Sequence, residues 1–343
     1  MAEEETDPRE VAWHPRHTKL LLGHLHAEKR MRQAFDSGKL HHAWMISGPK
    51  GIGKASLAYR FAAYVLAAAE PVSGDLGIDP DSRTAHWLAS RSHPDLFVLE
   101  RNWDSKTKKL KSELAVDDAR QLSEFFGLTA GSGGWRVAII DAADDLNNAS
   151  ANALLKLIEE PPPKCLLLLV CNYPGRLLRT IRSRCLRIDL LTLSQDETMR
   201  VLTNLPLDEP PGHGALEVAA KLAGGSPGRG LELLESTGAK SFAAFQTMGK
   251  MTAASLVEFG NRFGSRTSTA DDFEIFFSLL EGWIGSQARK AGIAGRGHAM
   301  ADTYVAIGHS IRQTNALNLD RRQAVINALS LINEAMKTAQ SHF

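Results

Sequence analysis

In the first half of the chain, short apolar runs alternate with longer amphipathic stretches, and glycine- or proline-rich breaks separate them. Ala43 to Ile46, the apolar end of His93-Pro-Asp-Leu-Phe-Val-Leu99, Arg136 to Ile140 and Cys165 to Cys171 have the length and character of strands buried in a sheet. Between them, Leu20 to Phe35, Ala55 to Ala68, Val116 to Phe126 and Asn148 to Glu159 read as helices. Asp117 and Asp118 occupy a first helical turn, where carboxylates suit the helix dipole, and Pro161-Pro-Pro163 stops the last of these helices. Strands alternating with helices predict an α/β fold whose parallel sheet is covered on both faces. Glu70 to Ser92, rich in Pro, Gly, Asp and Ser, reads as a surface connection, and Trp103 to Lys111 as a polar hairpin-like stretch.

Beyond Asp189 the pattern predicts helices only, with breaks at Gly224 to Gly228, Gly260 to Thr269 and Gly292 to Gly297. Phe273, Phe276, Leu280 and Trp283 recur at helical spacing, as do Val325, Leu329, Ile332 and Met336. Such stripes read as internal core before partner surface.

The length of 343 residues suggests two or three domains, and an apolar content of 43% gives material for more than one core. A net charge of +1 excludes a strongly basic nucleic-acid binder, so any such contact must come from a local patch. Lys106, Lys108, Lys109 and Lys111 could supply one, but with Trp103 as the nearby aromatic they read first as a solvated loop. Cys165, Cys171 and Cys185 lack CxxC spacing and read as buried free thiols of a reducing compartment. The segment Met1 to Arg9 is acidic and has no signal-peptide core, and no stretch approaches a membrane span, so a cytoplasmic location with no membrane partner is expected.

The chemistry-bearing motif is Gly48-Pro-Lys-Gly-Ile-Gly-Lys54, set between a strand and a helix as a P-loop is. Such a loop aims backbone N–H groups and a helix N-terminus at phosphate oxygens, and its lysine adds a point charge. Gly48, Gly51, Gly53 and Lys54 fit the pattern, and Asp141 ends the apolar run that would carry the second nucleotide motif. Two parts are missing. Where a Ser or Thr hydroxyl should hold magnesium stands Ala55, and Ser56, one position later, is turned about 100° away on a helix. Ala142 follows Asp141 where an acid would orient attacking water, with Asp144 and Asp145 displaced. Phosphoryl transfer depends on charge neutralisation and nucleophile positioning, so no intrinsic ATPase activity is expected. The plainer alternative is a glycine-rich turn without a ligand. His41 and His42, adjacent and therefore divergent along a strand, read as structural rather than as metal ligands.

Ser37-Gly-Lys-Leu-His-His-Ala43, the Gly48 to Lys54 loop, His93-Pro-Asp-Leu96, Asn152-Ala-Leu-Leu-Lys-Leu-Ile-Glu-Glu-Pro-Pro162 and Thr180-Ile-Arg-Ser-Arg-Cys185 together resemble bacterial clamp-loader proteins of DNA polymerase III. The resemblance runs from about residue 18 to 190, with weaker support from Gly224 to Gly230. It implies an AAA+ P-loop domain with a parallel sheet at 1–190, a helical lid at 191–240 and an all-helical C-terminal collar at 241–343. It further implies a heteropentameric ring with gamma/tau motor subunits and a delta subunit, which loads a sliding clamp onto primer-template DNA. Arg184 would be an arginine finger supplied in trans to a neighbouring subunit, against the plainer alternative of a surface cation beside Arg179, Arg182 and Arg187. Asn172 would be the strand-end sensor, whereas Gly228 takes the place of the lid's nucleotide-sensing arginine, with Arg229 one step later. The zinc-holding cysteine cluster of many relatives is missing, so no zinc or other metal is expected. No cofactor is required, and ATP or ADP binding without hydrolysis is compatible with the loop. Two other functions compete: a self-sufficient AAA+ ATPase, such as a motor subunit or DNA-remodelling helicase, using Asp144 or Asp145 as the acid, and a small-molecule P-loop kinase.

Overall fold

Seven strands are present among the described residues of the computed structural model: β1 (Ala43–Ser47), β2 (Leu96–Glu100), β3 (Trp103–Asp104), β4 (Lys109–Leu110), β5 (Arg136–Asp141), β6 (Cys165–Cys171) and β7 (Leu186–Asp189). The structure describes residues 7, 10–18, 20–67, 76–104, 109–110, 114, 116–128, 130–131, 134–207, 210–249, 251–264, 268–293, 298–317 and 319–340. Five strands form one sheet in the order β2-β5-β6-β1-β7, and every pair in it is parallel. The α/β P-loop architecture expected from the sequence is therefore observed. The chain divides into two compact units, Met1–Asp208 with Gly225–Gly228, and Glu209–Gly224 with Arg229–Phe343.

β6 shows why the sheet has this form. Side chains alternate faces along a strand, so an unbroken apolar run is stable only where both faces are covered. Leu166, Leu168 and Val170 enter one core with Trp44, Ile46 and Phe61. Cys165, Leu167, Leu169 and Cys171 enter the opposite core with Ala138, Ile140, Leu154 and Ile158. The helix Lys54–Leu66 supplies the first layer and Asn148–Glu159 the second. Asn147 caps the latter helix by accepting a hydrogen bond from the Ser150 N–H at 2.9 Å. All three cysteines are free; Cys165 and Cys171 are buried and Cys185 is half-buried, and desolvation pushes Cys171 up to about 12.

Two local expectations need correction. The stretch Glu70 to Ser92 is not a plain connection, because Arg83–Ala89 forms a helix capped by Ser82, whose hydroxyl accepts the Ala85 N–H. The segment after Arg184 also contributes β7, a sheet-edge strand whose exposed Arg187 and Asp189 alternate with half-buried Leu186 and buried Ile188. The hairpin-like stretch narrows to the two-residue pairing of β3 with β4. Lys106, Lys108, Lys111 and the side chain of Lys109 lie outside the described residues, as does Met1 to Arg9 apart from Asp7.

The second unit contains the helices Thr237–Gln246, Ala253–Gly260, Ala270–Ile293, His298–Leu317 and Arg321–Gln340. Phe273, Phe276 and Leu280 are buried, as are Val325, Leu329 and Ile332, so those stripes are core. Phe276 lies 4.8 Å from the Phe263 ring and 5.7 Å from the Phe259 ring. Among the described residues no helix is long and apolar enough to cross a membrane.

Candidate functional site: a glycine loop and a distant arginine

The glycine loop runs from the end of β1 into the helix Lys54–Leu66. Gly48 has φ of 150°, and a Cβ there would lie 2.5 Å from the Leu190 carbonyl oxygen, so no larger residue fits. Gly53 caps the helix with φ of 101°. These two positions explain why the loop is built from glycine.

The loop carbonyls are committed to the chain's own groups. The Lys54 ammonium donates to the oxygens of Gly48 at 2.9 Å and Pro49 at 2.5 Å. The Ser226 hydroxyl donates to Lys50 O at 2.8 Å, and the Gly228 N–H to Gly51 O at 2.8 Å. The His24 imidazole Nε2 pairs with Ile52 O at 2.7 Å. Five successive carbonyls are thus held, and any phosphate must compete with two of them for Lys54. Burial lowers Lys54 to about 8, against the opposing pull of Asp141 and Asp144. Asp141 is raised to about 6, first by desolvation and then by Glu100, while Lys54 and Arg101 pull it down.

The magnesium donors do not assemble. Ala55 offers a methyl group, half-buried against the core. The Ser56 hydroxyl faces Thr18, with 2.9 Å between the two oxygens, as its helical rotation predicts. Asp141 alone remains, a single carboxylate where the ion needs protein oxygens from both motifs. Ala142 is buried, and neither displaced acid is available in its stead. The Asp144 carboxylate accepts the backbone N–H groups of Asn172 at 2.8 Å and Tyr173 at 3.1 Å. Asp145 pairs with Arg101 at 3.3 Å. Asn172 follows β6 directly and is half-buried beside these acids, so the expected sensor position is joined to the second motif by its backbone.

Arg184 is placed elsewhere. It precedes β7, which runs parallel to β1 in a register pairing Trp44 with Leu186 and Ser47 with Asp189. The loop leaves the C-terminal end of β1, whereas Arg184 stands at the N-terminal end of β7. Arg184 lies in the turn before β7, and the strand Leu186–Asp189 by itself spans roughly 10 Å along the sheet. Its Nη2 lies 3.1 Å from Glu159 Oε1, and its Nη1 donates to Thr180 O at 3.2 Å. Sequence reasoning named Arg184 and the loop but missed Glu159, Thr18, His24 and Ser226, whose partners are remote in sequence. Contrary to the expected divergence along a strand, His41 and His42 precede β1 and their rings stack at 4.4 Å, with ring nitrogens pairing with the carbonyls of Ala43 and Ile158. Among the described residues no group of three or more His, Cys, Asp or Glu is placed to hold a metal ion.

The family model described as DNA polymerase III, delta subunit, matches residues 23–194. The DNA polymerase III subunit delta' of Pseudomonas aeruginosa is 37% identical over 186 residues, covering 54% of this chain and 53% of that protein. The delta' subunit of Escherichia coli is 31% identical, covering 60% and 58%. The gamma subunit of Buchnera aphidicola from Schizaphis graminum is 29% identical, covering 65% and 59%. The chain thus matches little more than half the length of these relatives. RuvB of Thermotoga maritima overlays loosely, with a TM-score of 0.42 at 16% identity over 79% of this chain and 80% of that one.

Proposed function

The chain belongs to the DNA polymerase III delta subunit family, and we propose that it serves as the delta-prime subunit of a clamp loader. In this reading it is a non-hydrolysing member of a heteropentameric ring with gamma/tau motor subunits and the delta subunit. The ring opens a sliding clamp and sets it on primer-template DNA in the cytoplasm. The proposed domains are the P-loop domain at 1–190, a lid at 191–240 and an oligomerising collar at 241–343.

The observation that carries the proposal is the pairing of a disarmed loop with a remote arginine. The loop lacks its magnesium hydroxyl and its acid, and Asp144 and Asp145 are engaged by the Asn172 and Tyr173 amides and by Arg101. The donor set does not fit a magnesium-bound nucleotide poised for hydrolysis, so no reaction step is assigned to this loop. ATP or ADP would be held there by Gly48, Gly51, Gly53 and Lys54, with Asp141 and Asn172 nearby, and neither nucleotide nor zinc is required. Arg184 stands before the N-terminal end of β7, at the opposite end of the sheet from that loop, and in this reading it serves a neighbouring subunit in trans. A planar guanidinium there would neutralise charge spreading over the oxygens of a transferring phosphoryl group.

Two measurements test this together. The purified chain should show no magnesium-dependent ATP turnover. In a reconstituted complex, Arg184→Ala should cost the site it serves about 10³-fold in hydrolysis and lower clamp loading. Turnover by the isolated chain that Lys54→Ala abolishes would instead support a self-sufficient ATPase, and unchanged loading would remove the finger.

A further inference from the structure

The Arg184 side chain is exposed, yet it is not left to wander. Glu159, the last residue of the helix Asn148–Glu159, holds Nη2 through Oε1 at 3.1 Å. The Thr180 carbonyl, in the short helix Arg179–Arg182, accepts from Nη1 at 3.2 Å, and the Ser183 hydroxyl oxygen lies 3.5 Å from the same nitrogen. These contacts grip the guanidinium at both terminal nitrogens from two separate helices. A guanidinium carries five N–H donors in a rigid fork, so these three contacts leave others, Nε–H among them, for a phosphate. Glu159 also stands at the C-terminus of its helix, where the unpaired carbonyls favour a cation. The site therefore orients the group before any partner arrives.

We propose that Glu159 is a positioning residue for Arg184, fixing the plane of the guanidinium so that its free N–H edge meets phosphoryl oxygens of the neighbouring subunit without a search through rotamers. The proposal rests on the trans-finger reading above. Glu159 touches no substrate and acts only through Arg184. An exposed ion pair contributes little to stability, so its worth lies in the order it imposes. The alternative is a parking contact, in which Glu159 competes with phosphate for the arginine and slows the reaction.

The experiment compares parent, Glu159→Ala, Glu159→Gln, Arg184→Ala and the double Ala variant in the reconstituted clamp-loader complex, measuring clamp- and DNA-stimulated ATP hydrolysis. The turnover lost in Arg184→Ala defines the arginine-dependent component. Glu159→Ala should reduce kcat of that component about three- to tenfold, the ordering cost of one long side chain, with KM for ATP unchanged. Glu159→Gln keeps an oxygen acceptor for Nη2 and should restore most of the loss. In the Arg184→Ala background the Glu159 substitution should have no effect. A parent-like or faster Glu159→Ala enzyme, a Gln variant as slow as Ala, or an undiminished effect without Arg184 overturns the proposal and leaves the finger standing. An Arg184→Ala complex as active as the parent removes the finger reading and the proposal with it.

Discussion

Replacing Gly228 by alanine should destabilise the first unit by about 2–4 kcal/mol. An added Cβ would lie 2.7 Å from Gly51 Cα, 3.2 Å from its carbonyl oxygen and 3.4 Å from its carbonyl carbon. Carbon atoms in good contact sit about 3.5–4.0 Å apart, and the obstacle here is backbone, which cannot swing aside as a side chain can. Either the Gly228 segment retreats or the glycine loop moves. Both stretch the 2.8 Å bond from the Gly228 N–H to Gly51 O and disturb the neighbouring bond from Ser226 to Lys50 O. Overpacking of this kind costs about 1–3 kcal/mol, and a lost buried hydrogen bond about 0.5–1.5 kcal/mol. Thermal melting followed by circular dichroism should fall by roughly 5–10 °C. Hydrogen exchange at the residue 228 amide should quicken at the same time. Gly175→Ala, where nothing lies within 4 Å of the new carbon, is the control and should stay within about 0.5 kcal/mol of the parent. A Gly228→Ala protein that melts within about 1 °C of the parent and keeps that amide protected would refute the reasoning.

Asp144→Ala should lower stability by about 1–3 kcal/mol in denaturant titration, because it leaves the Asn172 and Tyr173 N–H groups without their acceptor. The isolated chain is expected to show no ATP turnover with or without this substitution; turnover in the parent that Asp144→Ala abolishes would mark Asp144 as a catalytic acid instead. The raised Asp141 predicts a pH dependence of defined sign. Between its ordinary value of 3.8 and about 6, the folded chain binds the proton more tightly than the unfolded chain, so stability attributable to this group falls as pH rises through that window. The parent should therefore lose about 2 kcal/mol relative to Asp141→Asn between pH 4 and pH 6 in urea titrations. A constant difference across that range would show that Asp141 is not held above its ordinary value.

The local sequence carried the elements whose signals are local. β6 and the helix Asn148–Glu159 begin and end where the apolar run, the Asn147 cap and Pro161-Pro-Pro163 place them. The Ala55 and Ala142 defects were legible because each is the lack of an oxygen at a defined step from a glycine or a strand end. β7 escaped because four alternating residues behind a basic run carry too weak a period. The helix Arg83–Ala89 escaped because Ser82, its cap, stands among other turn-forming residues.

What the sequence by itself determined is a glycine-loop motif with Ala55 and Ala142 where its pattern has a hydroxyl and an acid, and an arginine at position 184 in a separate motif. Only the tertiary structure decided which groups occupy one another. Ser226 and Gly228 reach Lys50 and Gly51 from more than 170 residues away, and the parallel register of β1 with β7 sets Arg184 at the far end of the sheet from its own loop. The physical reason is that glycine composition and helical rotation are properties of neighbouring residues. A hydrogen bond between distant segments exists only once the packing of the sheet and its helices has brought donor and acceptor within about 3 Å.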